Sequence, residues 1–418
     1  MVNIETAASE FVRSFSQTDL VLYAGTNVPC PPHAACNAEE LGMMPVIGPW
    51  QDKQQPNVGR LAEIEVAAAR LLCGIFGGDF AEARFPSCSQ ANLAVFIALL
   101  EAGDRVICLH GNDGGHPSQN ADGVLAHLAV ELHAAPFDAG RQCVDDAALA
   151  QLTEKMRPKL IMLGPSTILR PSVLTRTAQV AAGMGAVLVV DVSHVAGLIA
   201  GGAYPNPLDG GADLITGSSY KTLGCPPAGF VVGRGRKFEA ALKQAASPKL
   251  LSNYDAGRLA RFTAALARSR SSFVPYARAI AANTEALRSA LRAHKVALLV
   301  PEDGMFGTHQ ILLTARSQED AARIVAELQN SGITTSLCAV PGRWGSWAIR
   351  LGTQLVTRRG MGIDEMQRIA SIIAAVLRSN RSISLRDEVT ELTGQFRTLL
   401  FCGGTPQNDG AHLCANER

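Results

Sequence analysis

Between Leu61 and Val232 the chain alternates short apolar runs with stretches whose apolar residues recur every three or four positions. Strands and helices that take turns in this way build a parallel or mixed sheet with helices on both faces. The most restrictive run is AVLVVDV, residues 186–192. A strand so nearly continuous in apolar residues has to be covered on both sides. The spacing predicts helices over 61–76, 91–100 and 175–184. It predicts strands over 105–109, 159–163, 186–192, 214–216 and 229–232. Beyond about residue 255 the pattern changes. A long helical stretch over 256–294 leads into a smaller α+β portion with strands near 311–313 and 348–351. Residues 1–20 read as a polar helix. Residues 24–60, rich in Pro, Gly, Asn and Gln, read as a loop long enough to be functional. The expected fold class is therefore α/β, a large domain on a mixed, mostly parallel sheet plus a smaller α+β C-terminal domain. The expected divisions are an N-terminal arm and loop (1–45), the large domain (46–260), the small domain (261–400) and a loose tail (401–418).

A chain of 418 residues, 47% hydrophobic and 18% charged, can bury the core that two or three domains need. The net charge is +1 and no dense Lys/Arg block occurs, which argues against a nucleic-acid surface and for a small substrate. The N-terminus, MVNIETAASE, lacks a secretory apolar region, and the longest apolar stretches are too short to cross a bilayer. The ten cysteines include no CxxC pair. They read as reduced thiols and not as a disulfide or metal framework, which points to a cytoplasmic enzyme.

The chemistry concentrates between Asp191 and Lys221. Asp191 closes the strand AVLVVD, and ligands of open α/β sheets gather at such strand ends. A carboxylate there can cap the next segment, or it can pair with a buried cation. In a pyridoxal 5'-phosphate site that cation is the protonated pyridine nitrogen, and the pair makes the ring an electron sink. Lys221 follows the hydroxyl-rich run TGSSY, residues 216–220. A lysine in an apolar or cationic pocket loses its proton and can form a Schiff base. Ser87, Cys88 and Ser89 precede an apolar helix, where hydroxyls and free N–H groups favour an anion. Gly114-Gly115-His116 sets an imidazole in a turn after a strand, where it could stack on a planar ring.

These motifs, together with VVDVSHVAGLIAGGAYPNPL (189–208), SQAN (89–92) and IRLGTQLVTRRG (349–360), resemble the serine hydroxymethyltransferase family. Order and spacing agree over roughly residues 20–380. The resemblance implies a fold-type-I architecture, a pyridoxal 5'-phosphate cofactor and a homodimer or tetramer. It implies that Lys221 is the Schiff-base lysine, Asp191 the pyridinium partner and His116 the stacked imidazole. His194 falls near the cofactor's phenolic oxygen, Ser87, Cys88 and Ser89 on the phosphate cup, and Ser166 and Ser218 among the cofactor contacts. Arg350 falls on the arginine that pairs with the substrate carboxylate, a role suited to a planar bidentate donor. Gly25 falls on the substrate side, and Tyr220 stands where the family has a histidine before the lysine.

Other departures cluster on the folate side. The stretch Pro45–Arg60 has neither Glu nor Tyr. Against the family pattern Ile47 replaces a catalytic glutamate, Gln54 and Gln55 a tyrosine pair, and Gly25-Thr26 a Ser-Glu. Cys338 stands for a folate-side asparagine, and SPKLLSN (247–253) for a glycine-rich segment. The expectation is folate-independent Cα–Cβ cleavage of a β-hydroxy-α-amino acid, L-threonine or L-serine, with transfer of the glycyl unit to another aldehyde. Three alternatives stay open. They are hydroxymethyl transfer with unusual acid–base groups, another reaction such as transamination, racemisation or decarboxylation, and a cofactor-binding relative without catalysis.

Overall fold

A computed structural model of the chain describes residues 4–31, 38–56, 58–378 and 385–403. Helix α1 (Gly59–Phe76) stops at Gly77, whose left-handed φ of 69° a side chain would resist. Strand β1 (Phe80–Glu82) and helix α2 (Cys88–Leu99) follow, the helix capped by the Ser87 side chain. Then come β2 (Arg105–Cys108), β3 (Glu131–Ala134), α3 (Asp146–Met156), β4 (Leu160–Leu163), α4 (Thr175–Met184), β5 (Val187–Asp191), β6 (Leu214–Ser218) and β7 (Gly229–Gly233). These strands form one seven-stranded sheet in the order β1-β7-β6-β5-β4-β2-β3. Only β7 runs antiparallel to its neighbours.

Strand β5 explains its own composition. Val187 and Val189 enter one buried cluster with Phe96 of α2, while Leu188 enters another with Ala178 and Ala181 of α4. Val187, Leu188 and Val189 are buried on opposite faces and only Val190 is partly exposed, so the alternation of polar and apolar residues expected of a half-exposed strand is absent. At the antiparallel end Phe230 stacks between Phe76 and Phe262, ring centroids 5.3 and 6.5 Å away. A Cβ on Gly217 would stand 2.4 Å from the Phe230 ring, which is why the neighbouring strand carries glycine there.

The long helical stretch resolves into α5 (Ala256–Ser269), a 3₁₀ turn at Arg270–Ser272 and α6 (Phe273–Ala293). Beyond it, β8 (Gln310–Thr314), β9 (Ser336–Ala339) and β10 (Trp347–Gly352) make an antiparallel sheet with β10 central. Helices α7 (Gln318–Asn330) and α8 (Ile363–Arg378) accompany it. Leu20 and Val21 pair in parallel with Ile333 and Thr334, so the N-terminal arm is hydrogen-bonded into this smaller part of the chain. The mixed, mostly parallel sheet and the α/β class agree with the sequence reading.

Two expectations change. The loop over 24–60 contains a short helix at Ala38–Gly42, while residues 32–37 and 57 lie outside the described residues. The cysteines are not all free thiols, because Cys30 and Cys402 form a disulfide. They are 372 positions apart and meet only because segments 28–31 and 400–403 converge. No local spacing could have announced that pairing. The tail expected to be loose lies, from 404 onward, outside the described residues. Phe401 packs on Tyr276 at 5.2 Å. Among the described residues no helix is long and apolar enough to cross a membrane.

Truncating Phe230 opens a void between two helices and the sheet. Phe230→Ala should lower the free energy of unfolding by about 3–5 kcal/mol. Urea titration followed by circular dichroism measures it, and a loss under about 1 kcal/mol would contradict this packing.

Candidate active site

Four neighbouring parallel strands of the large sheet, β2, β4, β5 and β6, end on the same side, and each delivers part of one cavity. His116 follows β2 through a 3₁₀ turn at Gly111–Asp113. Gly114, at φ 86°, permits the reversal. A Cβ on Gly115 would meet the Leu109 carbonyl at 2.1 Å, so this close approach of backbone to backbone needs glycine. Ser166 follows β4, Asp191 is the last residue of β5, and Lys221 comes three residues after β6. The N-terminus of α2 supplies Ser87, Cys88 and Ser89 to the same cavity, and Ser193, His194, Ser218 and Tyr220 complete the set. Crevices outside the carboxyl ends of parallel strands are where such sheets hold ligands.

Asp191 is buried and heavily bonded. Its Oδ1 accepts from the Ser193 amide at 2.8 Å. Its Oδ2 accepts from Asn92 Nδ2 at 3.2 Å, from Cys88 Sγ at 3.3 Å and from Gln119 Nε2. So many donors fix the carboxylate in one orientation. The Ser193 bond forms the local turn, and the other three bonds orient the group across the cavity.

Burial sets the protonation of the nitrogens. Lys221 is 8% exposed. Burial pulls its amine below the usual lysine range, partly opposed by Asp191 and Cys88. The Tyr220 ring lies 5.9 Å from the Lys221 Nζ, and burial raises its phenol. Burial likewise lowers His116, with Asp191 opposing. The Ser118 amide donates to His116 Nδ1 at 3.1 Å, and the Ser118 hydroxyl lies 2.8 Å from the same atom. The neutral ring therefore keeps its proton on Nε2. His194 is pushed well below its usual range by burial and then by Lys221 and Arg350, and its Nδ1 lies 3.1 Å from Gln310 Nε2. Burial raises the Cys88 thiol well above its ordinary range, and Asp191 raises it further, so this sulfur stays protonated.

Arg350, on β10 of the small sheet, reaches the same region. Its Nη1 donates to the Ser166 carbonyl at 2.6 Å and its Nε to Ser336 Oγ at 3.3 Å. The residue is 8% exposed, and no carboxylate among the described residues lies within ion-pair distance. Its burial rules out a role as one half of a surface ion pair. The Tyr23 ring lies 6.0 Å from the guanidinium and folds over Gly25, where a Cβ would stand 2.9 Å from the ring. Gly25 itself is buried beneath that ring and does not line the cavity around Lys221.

The stretch 45–60 also stays away from Lys221 within this chain. Gln55 Oε1 accepts from the Ile47 amide at 2.8 Å, so its amide is spent on the loop's own backbone. Residues 47–51 and Gln54 border a separate cavity of about 550 Å³ beside the buried Glu82–Arg84 pair. Sequence reasoning assigned no role to Gln119, Gln310, Ser193 or Tyr23. Asn92 stood inside the SQAN motif and could have been found there.

The donor set suits pyridoxal 5'-phosphate. A buried amine faces a fixed carboxylate, serines stand at a helix N-terminus, and Ser218 Oγ is buried with no partner in the protein. Comparison with known proteins agrees with this geometry. The serine hydroxymethyltransferase family model matches residues 61–373. An α-methylserine aldolase of Variovorax paradoxus is 35% identical, over 93% of this chain and 89% of that protein. A serine hydroxymethyltransferase of Methanopyrus kandleri is 33% identical, over 84% of this chain and 82% of that protein. The fold matches the crystal structure of L-threonine transaldolase from Pseudomonas fluorescens in its internal aldimine state. There the TM-score is 0.84 at 22% identity, over 96% of both chains. The chain belongs to the serine hydroxymethyltransferase family and is a pyridoxal 5'-phosphate enzyme of fold type I.

Proposed function

We propose that this enzyme breaks the Cα–Cβ bond of a β-hydroxy-α-amino acid without tetrahydrofolate, and can pass the glycyl unit to another aldehyde. The observation that carries the reading is the state of loop 45–60. It holds no glutamate or tyrosine, its one carboxylate, Asp52, is exposed, and Gln55 is tied to its own backbone. A proton-transfer group has to stand within hydrogen-bond reach of the proton it moves, and neither amide side chain titrates. The kinship with α-methylserine aldolases at 35% identity supports the same reading and adds α-methylserine to threonine and serine as a substrate to assay.

Bound at this site, the cofactor supplies an electrophilic carbonyl for the substrate amine and a sink for the electron pair released when Cα–Cβ breaks. The chain's residues do the rest. Lys221 would hold the cofactor covalently, and Asp191 would keep its pyridine nitrogen protonated. Ser87 and Ser89, with the free N–H groups of α2, would receive the phosphate, and Ser218 and Ser166 would add contacts. Cys88 adds bulk beside Asp191 without adding charge. His116 and His194 would contact the ring from their places on the cavity wall. Arg350 clamps the substrate α-carboxylate, with Tyr23 bounding that side. The β-hydroxyl proton needs a basic nitrogen, and burial shifts both the Lys221 amine and the His116 imidazole toward their neutral forms. The Nδ1 of His116 is engaged by Ser118, which favours Lys221. The Tyr220 phenol stays protonated and orients the hydroxyl by hydrogen bonding. We also assign the protein to the cytoplasm and to a homodimer or tetramer. Light scattering that finds a monomer binding its cofactor tightly would contradict the assembly.

The test of function is a side-by-side assay of L-threonine, L-serine and α-methylserine, each with and without tetrahydrofolate. Aldehyde release indifferent to folate is expected. Serine turnover that depends strongly on folate, with little cleavage of the other two, would restore the hydroxymethyl-transfer reading. Arg350→Ala should weaken amino-acid binding by roughly 3–5 kcal/mol, since it leaves a carboxylate unpaired in a buried site. Cofactor should remain bound. Titration of the amino-acid-induced change in the visible spectrum reads this, and an unshifted midpoint would refute the assignment.

A further inference from the structure

The disulfide between Cys30 and Cys402 has asymmetric surroundings. Cys30 is 6% exposed, and its Sγ lies 2.8 Å from Arg358 Nη1. Cys402 is only partly buried, and its Sγ lies 4.0 Å from the same nitrogen. Arg358 is fully buried, with its guanidinium 4.4 Å from the Tyr276 ring. Nη1 also donates to the Phe401 carbonyl at 3.2 Å, while Nε and Nη2 find no partner. No carboxylate among the described residues comes within ion-pair distance of this arginine. A cation taken fully out of water without an anion is costly, and a guanidinium cannot escape the cost by giving up its proton. The nearest group that can carry a negative charge is the sulfur of Cys30 once the disulfide is open.

We propose that Cys30 and Cys402 form a thiol–disulfide exchange site for low-molecular-weight thiols, with Arg358 as the cation that receives the Cys30 thiolate. The less buried sulfur, Cys402 Sγ, is the point of attack. A small thiolate, RS⁻, bonds to Cys402 Sγ, the Cys30–Cys402 bond breaks, and its electron pair leaves on Cys30. A second RS⁻ attacks the outer sulfur of the mixed disulfide, forming RS–SR and releasing the Cys402 thiolate, which takes a proton from water. Two RSH thus become one RS–SR. One of their protons ends on Cys402, the other goes to solvent, and Cys30 keeps its charge beside Arg358. Closure runs the same steps backwards with RS–SR as oxidant. A stabilised leaving thiolate speeds opening, and an electropositive pocket lowers the pKa of the thiol within it. The site also adjoins the active centre. Tyr276 Oη accepts from Asn27 Nδ2 at 2.8 Å, and that same amide donates to the Lys221 carbonyl at 2.8 Å. A disulfide that small thiols open and close is compatible with a cytoplasmic enzyme, where a purely structural one would be unusual.

The test uses the holoenzyme equilibrated with glutathione and glutathione disulfide at varied ratios, trapped by alkylation and mapped as non-reduced peptides. The Cys30–Cys402 peptide should appear and vanish with the ratio. In Cys30→Ser, glutathione should accumulate on Cys402. In Arg358→Met, opening should slow at least ten-fold. Absence of the linked peptide at every ratio, or an undiminished opening rate in Arg358→Met, would overturn the proposal. Should that variant fail to fold, the reduced wild type decides. Alkylation of Cys30 should titrate below the ordinary thiol value of about 8.5, and a midpoint at or above that value overturns the assignment.

Discussion

The buried, four-fold hydrogen-bonded carboxylate of Asp191 organises the rest of the site. Of the residues lining the cavity it is the only acid, and it faces Lys221 and two histidines, with Arg350 behind them. Four donors fix its two oxygens, so its charge is both oriented and protected from water. Without that group, the buried lysine and His116 would lose the main interaction that offsets their desolvation. The sheet exists, in functional terms, to hold this group still. Strand β5 is packed on both faces, and its last residue is the acid.

A second theme is the division of labour between conserving a scaffold and changing what it does. The groups expected to hold the cofactor lie on the large sheet and on α2, where elements are packed on all sides. The departures from the family pattern lie on loops and edges, at 25–26, 45–60 and 338, and at Tyr220 on the rim of the cavity. Substituting Gln for an aromatic or Ile for Glu there costs the fold little, because these positions carry few core contacts. It can nonetheless remove a proton-transfer group, and with it a reaction.

Much of this was legible in the sequence because its physics is local. The run 186–192 betrays a strand covered on both sides, Gly114-Gly115 betrays a backbone crossing, and Ser87 betrays a helix start. What stayed hidden is non-local. Gln119 and Gln310 bond Asp191 and His194 from 72 and 116 positions away, and a neutral amide has no spacing that marks it. Strand β1, three residues long, is too short for a period-two pattern to register. Cys30 and Cys402 are joined only by the folded chain, and Arg358, one of three arginines in a twelve-residue stretch, gives no hint in sequence that it is the one wholly buried.

Borohydride reduction of the holoenzyme followed by peptide mapping tests most directly whether the Asp191–Lys221 pair organises a covalent cofactor site. The reduced cofactor adduct is expected on the peptide containing Lys221, and Asp191→Ala should sharply lower its yield. An adduct on another lysine, or none on a protein that still turns over, would contradict it.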